Sequence, residues 1–584
     1  MTTASSRVTG ALLACLLATT ACVPTLPTDG DVESVDVPER LAPDFGPDPQ
    51  PPQPGASPED IIRDFLDAGA GAADDHAVAR EYLTDDFANQ WDPRNQTLIY
   101  SEGNLSVDPA GESVYNVQLN VDARVDADGS MTWSSDPTSE PFEVEEVDGE
   151  WRISNAPDAK ILEEAAFGMV YSEFSLYFYD PQYRYAVPDV RWLPNLPSQS
   201  TELVNRVLEG PVPWLAPGVV SAFGDPGEEE SGLSTPAVTV NDGVATVDLD
   251  PTLTAGASDE ELALMHQQLY MALDELSTVT EVRLTAGGSA IDIPESDQVA
   301  QIEEQPQALE RQIGLQGDQL IWQLSTDTST VPGMPDLSEI EPRFPAVSTE
   351  AEGEVVAVMS GDLEELYHVR ADAAEPELLI EAESMTRPSM DNFGWTWTVT
   401  HDDSEPTIRA FNYEDPELGS VAVTADFIAG REVTSLRISQ DGTRAALVVD
   451  DAGVRSLYIA PVQREGPNDA PWSLGTQYHL HPDEAVELEE VRWSGNDEVF
   501  VWSPYDPDDD SPEPRYMQRI NISNISGSAE GSYEPVTFVT NVSVGEERDS
   551  VYLEIDGEGI HQFVGDSANL QEIDDDVRDL SYSG

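Results

Sequence analysis

The sequence predicts a multidomain protein: an α+β N-terminal domain, a middle α/β domain and an all-β, propeller-like C-terminal domain. Three observations carry this. A chain of 584 residues exceeds what one hydrophobic core supports, and about three domains fit it. Up to about residue 300, helix-spaced apolar stripes alternate with strand-like runs. From about residue 310 the helical period disappears and only short strands recur.

The α+β expectation covers residues 58–159. Ser57-Pro58-Glu59-Asp60 supplies a cap, a proline suited to the first helical position, and acids that suit the helix dipole. Ile61, Ile62, Phe65 and Leu66 then form one apolar face. A second short helix is expected over residues 76–83, ahead of Phe87 and Trp91. Strand-like runs follow at 98–100, 114–125, 131–133, 142–147 and 151–154. Helices followed by antiparallel strands read as α+β.

The middle domain is expected over residues 160–300. Leu203, Val204, Val207 and Leu208 form a helical stripe that stops at Gly210-Pro211. Two strand runs, 238–240 and 244–249, flank Asn241-Asp242-Gly243 and predict a hairpin. Ser258 and Glu261 form a capping box for a helix carrying Leu262, Met265, Leu269, Leu273 and Leu276. A strand at 282–284 turns at Gly287-Gly288.

The all-β expectation covers residues 310–584. Strands are expected at 319–323, 354–359, 394–399, 443–449, 457–460, 498–502 and 551–555. Ser439-Gln440-Asp441-Gly442 and Ser494-Gly495-Asn496-Asp497 each precede an apolar strand. Ser348, Ser389, Ser439 and Ser494 lie 41, 50 and 55 residues apart. That interval suits four-stranded propeller blades better than a β-sandwich with common turns, although it does not count the blades.

Residues 1–22 read as an export signal. Arg7 gives a thin positive region, and residues 11–18 give an apolar run too short to span a bilayer. Thr19-Thr20-Ala21-Cys22 resembles a lipobox, which makes Cys22 the lipid-attachment residue. Cys15 competes but would leave a very short apolar run, and a plain secretory signal is the alternative. Cys15 and Cys22 are the only cysteines, so the processed chain has no thiol for disulfides. Residues 23–57, rich in Pro, Asp and Glu, cannot bury a core. In extended polyproline geometry they reach up to roughly 100 Å.

Charge excludes one class of partner. There are 113 acidic residues against 27 basic ones, a formal net charge of −86, and Lys160 is the single lysine. Such a field repels nucleic acid, whose binding depends on cations that neutralise phosphates. It fits either a saline environment or a solvated acidic surface of compositional origin.

Catalytic signatures are missing. Lys160 follows Ala159, so there is no phosphate-binding loop. Gly557-Glu558-Gly559 ends in Gln562 and fails the dinucleotide pattern. No G-x-S-x-G elbow or H-E-x-x-H zinc helix occurs. His479 and His481 could share a strand face, but a third ligand is lacking and exposed histidines are the expectation. Asp506, Asp508 and Asp510 mimic the start of a calcium loop, but Ser511 and Met517 replace its Gly and Glu. Neither a catalytic residue, a metal site nor a cofactor is expected. A propeller channel with converging carboxylates and histidines would favour an enzyme; an apolar or mixed lining would favour a binding module.

Several blocks together resemble the actinobacterial LpqB lipoprotein family. They are residues 58–68, Arg80-Glu81-Tyr82-Leu83-Thr84, Trp91-Asp92-Pro93, residues 176–181 and residues 187–193. The middle domain resembles the GerMN type through Arg206-Val207-Leu208-Glu209-Gly210-Pro211, residues 243–249 and Gln267-Gln268-Leu269. The resemblance implies a lipid-anchored, extracytoplasmic accessory of the Mtr two-component system. Its partner would be the extracellular domain of a membrane sensor histidine kinase, with a role in cell-envelope homeostasis. The acidity departs from this pattern and puts in doubt any contact that needs a basic surface. An envelope enzyme or a glycan-binding protein is the alternative.

The charge generates a prediction. The 27 cations cannot balance 113 acids, so the remaining acids repel one another most in the compact state. The melting temperature should rise as NaCl goes from low to molar concentration, and again on mild acidification. Thermal scans that are flat in both variables would show that this repulsion is not felt.

Overall fold

The computed structural model describes residues 49–72, 75–134, 137–224, 232–294, 302–402, 405–465, 469–483, 485–505, 513–522, 532–564 and 569–584. Cys15, Cys22, most of the 23–57 linker and Asp506–Asp510 lie outside the described residues.

The first domain opens with helix Pro58–Ala68. The Ser57 side chain accepts from the Asp60 amide and the Asp60 carboxylate returns to the Ser57 amide, the expected cap. Ile61, Ile62, Phe65 and Leu66 are buried among Trp91, Phe142 and Ile153. The second helix is a single turn, Ala77–Arg80. Two four-stranded sheets follow. One orders Met131–Trp133, Ala123–Asp126, Gln96–Tyr100 and Lys160–Glu163. The other orders Leu105–Pro109, Val114–Asn120, Pro137–Val147 and Glu150–Asn155. The run 114–125, expected as one strand, is two strands in different sheets. The chain turns between them at Val121-Asp122, where the Asp122 carboxylate accepts the Ser101 hydroxyl. Strand Lys160–Glu163 pairs parallel with Gln96–Tyr100, which sets Lys160 beside Thr97.

The middle domain pairs Tyr171–Tyr179 with Ala186–Pro194 as a long hairpin. Strand Val244–Leu249 pairs antiparallel with Thr239–Asn241 and parallel with Glu281–Ala286. Asp242 and Gly243 both have positive φ, as a two-residue hairpin turn requires. Helix Asp259–Asp274, capped by Ser258 and Glu261, bridges the parallel pair. Met265, Leu269 and Leu273 are buried, whereas Leu262 is only half-buried and Leu276 lies beyond the helix.

The C-terminal domain is a propeller of six blades among the described residues, each of four strands except the fourth, where Tyr478–Leu480 pairs with Val454–Glu465 as a fifth. Blades 2 to 6 follow in chain order, spanning 343–381, 389–423, 432–474, 490–536 and 539–574. Blade 1 is composite: Gln312–Gln316, Gln319–Leu324 and Asp327–Thr330 are joined by Val577–Ser581, which pairs antiparallel with Gln312–Gln316. The end of the chain thus closes the ring. Ser439 and Ser494 open the turn after the innermost strand of blades 4 and 5. In blade 3 that position is Asp391, two residues beyond Ser389, which instead accepts the Ile438 amide of the next blade.

Leu269 is fully buried in the middle-domain core. Leu269→Ala should lower the unfolding free energy by about 2–5 kcal/mol in a denaturant titration. A loss within roughly 0.5 kcal/mol, the range for surface changes, would contradict its packing.

Candidate functional site

The innermost strands of the six blades surround a channel, and what fills it follows from strand alternation. In Glu490–Trp493, Glu490 and Arg492 are two apart and share a face. Glu490 gathers three guanidinium groups: Arg387 at 3.2 Å, Arg492 at 3.3 Å and Arg437 at 3.8 Å. The Ser435 hydroxyl adds a fourth donor at 3.2 Å. Arg387 comes from the entry to blade 3. It reaches Glu490 in blade 5 and the Asn541 side chain in blade 6 at 2.9 Å, and lies 3.9 Å from the Phe344 ring centre in blade 2. One side chain therefore ties four blades across the channel. Farther round the ring, Arg343 pairs with Asp579 at 2.7 Å, and the Asp579 amide donates to Glu554 at 2.7 Å. The lining is mixed: arginine, carboxylate and aromatic.

Burial opposes the charged forms of Glu490, Arg437, Arg492 and Glu554. Glu490 is nevertheless held below the ordinary glutamate range, because Arg387, Arg492 and Arg437 outweigh its desolvation. The arginines are not all so well served. Arg437 is lowered well below its usual value by burial and then by Arg492, and Arg492 is lowered to about 10 by burial despite Glu490. Glu554 goes the other way. Burial, then the charge of Asp579, push it up to about 7.

Two joints hold the middle domain to its neighbours. Arg191, fully buried, forms a two-pronged pair with Asp189 at 2.7 Å and donates to the Asp128 carbonyl of the first domain at 2.7 Å. Asp189 also accepts the Val212 amide at 2.9 Å. At Gly129, which has positive φ, a Cβ would come within 2.9 Å of Leu193, so glycine lets the two domains close. Against the propeller, the turn after Tyr179 is pinned by Asp180, which accepts the amides of Gln182, Arg184 and Tyr185. That turn sets Arg184 3.9 Å from the Phe393 ring centre and Tyr185 into the propeller core. Trp214 stacks on Tyr478 of blade 4, whose hydroxyl donates to the Met131 carbonyl of the first domain at 2.6 Å.

His479 and His481 do lie side by side, with ring centres 4.0 Å apart. His479 meets Tyr458 at a tilt, with ring centres 5.0 Å apart, and His481 likewise meets Trp133 of the first domain at 5.6 Å. Both are shifted toward the neutral form, chiefly by burial. They belong to a cluster of tilted rings at a domain joint; among the described residues no group of three potential metal ligands forms. Met517 is a buried residue of blade 5. Gly557 and Gly559 serve a hairpin turn in blade 6, both at positive φ. Lys160 is buried between the first and middle domains. The channel residues Arg387, Arg437 and Glu490 escaped sequence reading. The one local signal was the Glu490-x-Arg492 alternation just before Trp493.

No helix among the described residues is long and apolar enough to cross a membrane. The chain matches the family described as Lipoprotein LpqB, N-terminal domain, over residues 51–168. It matches the family described as Sporulation and spore germination over 175–292, and the Lipoprotein LpqB beta-propeller domain over 318–574. It is 28% identical to Lipoprotein LpqB of Thermobifida fusca, covering 85% of this chain and 87% of that one. It is also 28% identical to Lipoprotein LpqB of Nocardia farcinica, covering 85% of each chain. Among solved structures, the tandem GerMN domains of GerM from Bacillus subtilis align over 26% of this chain and 58% of theirs, at 16% identity and a TM-score of 0.19.

Glu554 generates a pH prediction. Its folded pKa lies above the ordinary glutamate value, so the neutral form is the stabilising one. That contribution is complete below about 4.3 and is lost as pH rises through about 7. Glu554→Gln should therefore raise the melting temperature at pH 8 and give no gain near pH 5. An equal shift at both pH values would contradict the buried, raised carboxyl.

Proposed function

Because this chain belongs to the LpqB lipoprotein family, we propose that it is a lipid-anchored accessory protein of the cell envelope. In this reading it binds the extracellular domain of a membrane sensor histidine kinase and catalyses nothing itself. The observation that carries the reading is the channel. Its charged groups are committed to one another across blades 2, 3, 5 and 6, which supports a rigid ring rather than a reactive cleft. A mixed, internally paired lining is what a binding module needs. The joints at Arg191 and Tyr478 extend that rigidity through all three domains, so a partner would meet one preorganised surface.

The anchor in this reading is the lipid on Cys22, and residues 23–57 give it reach. Tethering raises the effective concentration of a membrane partner without any new contact. The surface charge sets the chemistry of that partner: its docking face carries Arg and Lys. Trp472, on the outer strand of blade 4, is about half exposed and is a candidate anchor residue of the kind enriched at interfaces.

The test is photo-crosslinking in intact cells, with a photoreactive residue at position 472 and at spaced positions over the propeller and middle domain. Capture of a sensor-kinase extracellular domain, lost when Cys22→Ser releases the protein from the membrane fraction, is the expected result. Capture of glycan alone, or of no membrane kinase from any position, would overturn the partnership. A Cys22→Ser protein that stays membrane-bound while Cys15→Ser is released would overturn the anchor.

A further inference from the structure

The single lysine of the chain faces a cavity of about 300 Å³ between the first and middle domains. Strand Lys160–Glu163 brings it there, alongside Thr97. The Lys160 ammonium donates to the Tyr171 hydroxyl and lies 4.7 Å from the Tyr171 ring centre. That hydroxyl is also 2.9 Å from the Thr97 hydroxyl, and Phe167 stacks on the ring at 4.5 Å. The lysine is thus held in place, with only 6% of its surface exposed. An ammonium has three donors, and only one is used by a described residue.

The other charged groups of the cavity are already committed. Asp75 is shared by Arg80 and Arg94, each at 2.9 Å. Glu202 pairs with Arg206 at 2.7 Å. Asp126 is raised by burial and by Asp128, which favours its neutral form. Among the described residues no carboxylate lies within ion-pair distance of Lys160, in a chain with 113 acids. A buried charge without a counter-ion is costly. Beside it, His76 is also 6% exposed and has φ 59. Burial, then Lys160, lower its pKa to about 4, so the ring is neutral. His76 Nδ1 is buried and has no hydrogen-bond partner among the described residues. The middle-domain wall sets Trp192, Leu193, Pro194 and Leu196 beside Ser198, Glu202 and Arg206.

We propose that this cavity binds a small organic anion, its carboxylate or phosphate on Lys160 and its apolar body against Trp192. The ligand would touch both domains and stiffen the joint that Arg191 closes.

One lysine means one lysine side-chain signal in a protein labelled with ¹³C-lysine. The experiment titrates the full-length protein in detergent with mandelate, glycerol 3-phosphate, neutral 1-phenyl-1,2-ethanediol and NaCl at matched ionic strength. The two anions distinguish a carboxylate ligand from a phosphate ligand. A saturable shift with either anion, roughly tenfold or more weaker with the diol, is expected. By calorimetry, binding of that anion should fall by roughly tenfold or more in Lys160→Met, with partial retention in Lys160→Arg. No saturable shift with either anion, an equal shift with NaCl, or undiminished binding to Lys160→Met would overturn the proposal. Should Lys160→Met fail to fold, the wild-type lysine signal decides the question alone.

Discussion

The contact between Arg387 and Glu490 is the constraint on which the propeller depends. Six blades packed in a ring leave an axial hole, and nothing in blade-to-blade packing fills it. Arg387 does so with one side chain that meets blades 2, 5 and 6 from blade 3. Glu490 could not be buried there alone. Desolvating a carboxylate costs several kcal/mol, on the order of what its arginine partners return. Removing one partner from such a cluster leaves an uncompensated charge, so the channel holds together as a unit or not at all. The ring closes at the far end of the chain, through Val577–Ser581, and Asp579 of that strand is itself held by Arg343 of blade 2.

Positive charge is scarce here, and its placement is informative. With 27 cations against 113 acids, a random scatter would spend most arginines on surface pairs worth little. Many instead sit at structural joints. Arg191 locks the first domain to the middle one, Arg184 covers Phe393 where the middle domain meets the propeller, and Arg464 is buried against Asp391. Arg444 is buried against Asp441 in the turn of blade 4. Lys160 differs from Arg191, Arg444 and Arg464 in that no described carboxylate pairs with it. The acids left over are solvated, which is why the outer surface carries the net charge.

Sequence patterns revealed the local elements and missed the long-range ones, for a physical reason. The caps at Ser57 and Ser258 and the turn at Asp242-Gly243 are decided by residues within four positions of each other. The three-domain order was legible because each domain has its own periodicity, and the family resemblance follows the same order. The composite first blade was not legible, because it pairs residues more than 250 positions apart. The run 114–125 hid a sheet change, since both strands are apolar and alternate alike. Ser389 misled by two residues because Asp391 fills the serine's place in that blade's turn. The channel hub and the Lys160 cavity are each assembled from remote segments. Lys160 stood out only as a lone lysine, and what surrounds it comes from His76, Thr97, Tyr171 and Trp192.

The division between a cation-stapled interior and an acidic exterior has opposite consequences for fold and for partner. Salt screens the repulsion among surface acids and so favours the compact state. The same screening weakens attraction between that surface and a basic partner face, chiefly by slowing encounter. The interior pairs at Arg191, Arg444 and Arg387 are shielded from bulk ions and should change little. A rise in ionic strength would therefore leave a firmer protein that docks less readily. The proposed lipid tether would offset that loss, because a lipid-held protein does not depend on long-range steering to find a neighbour in the same membrane. The acidic surface and the proposed lipid tether would in this sense be complementary: the first suits the fold to salt, and the second would keep association possible there.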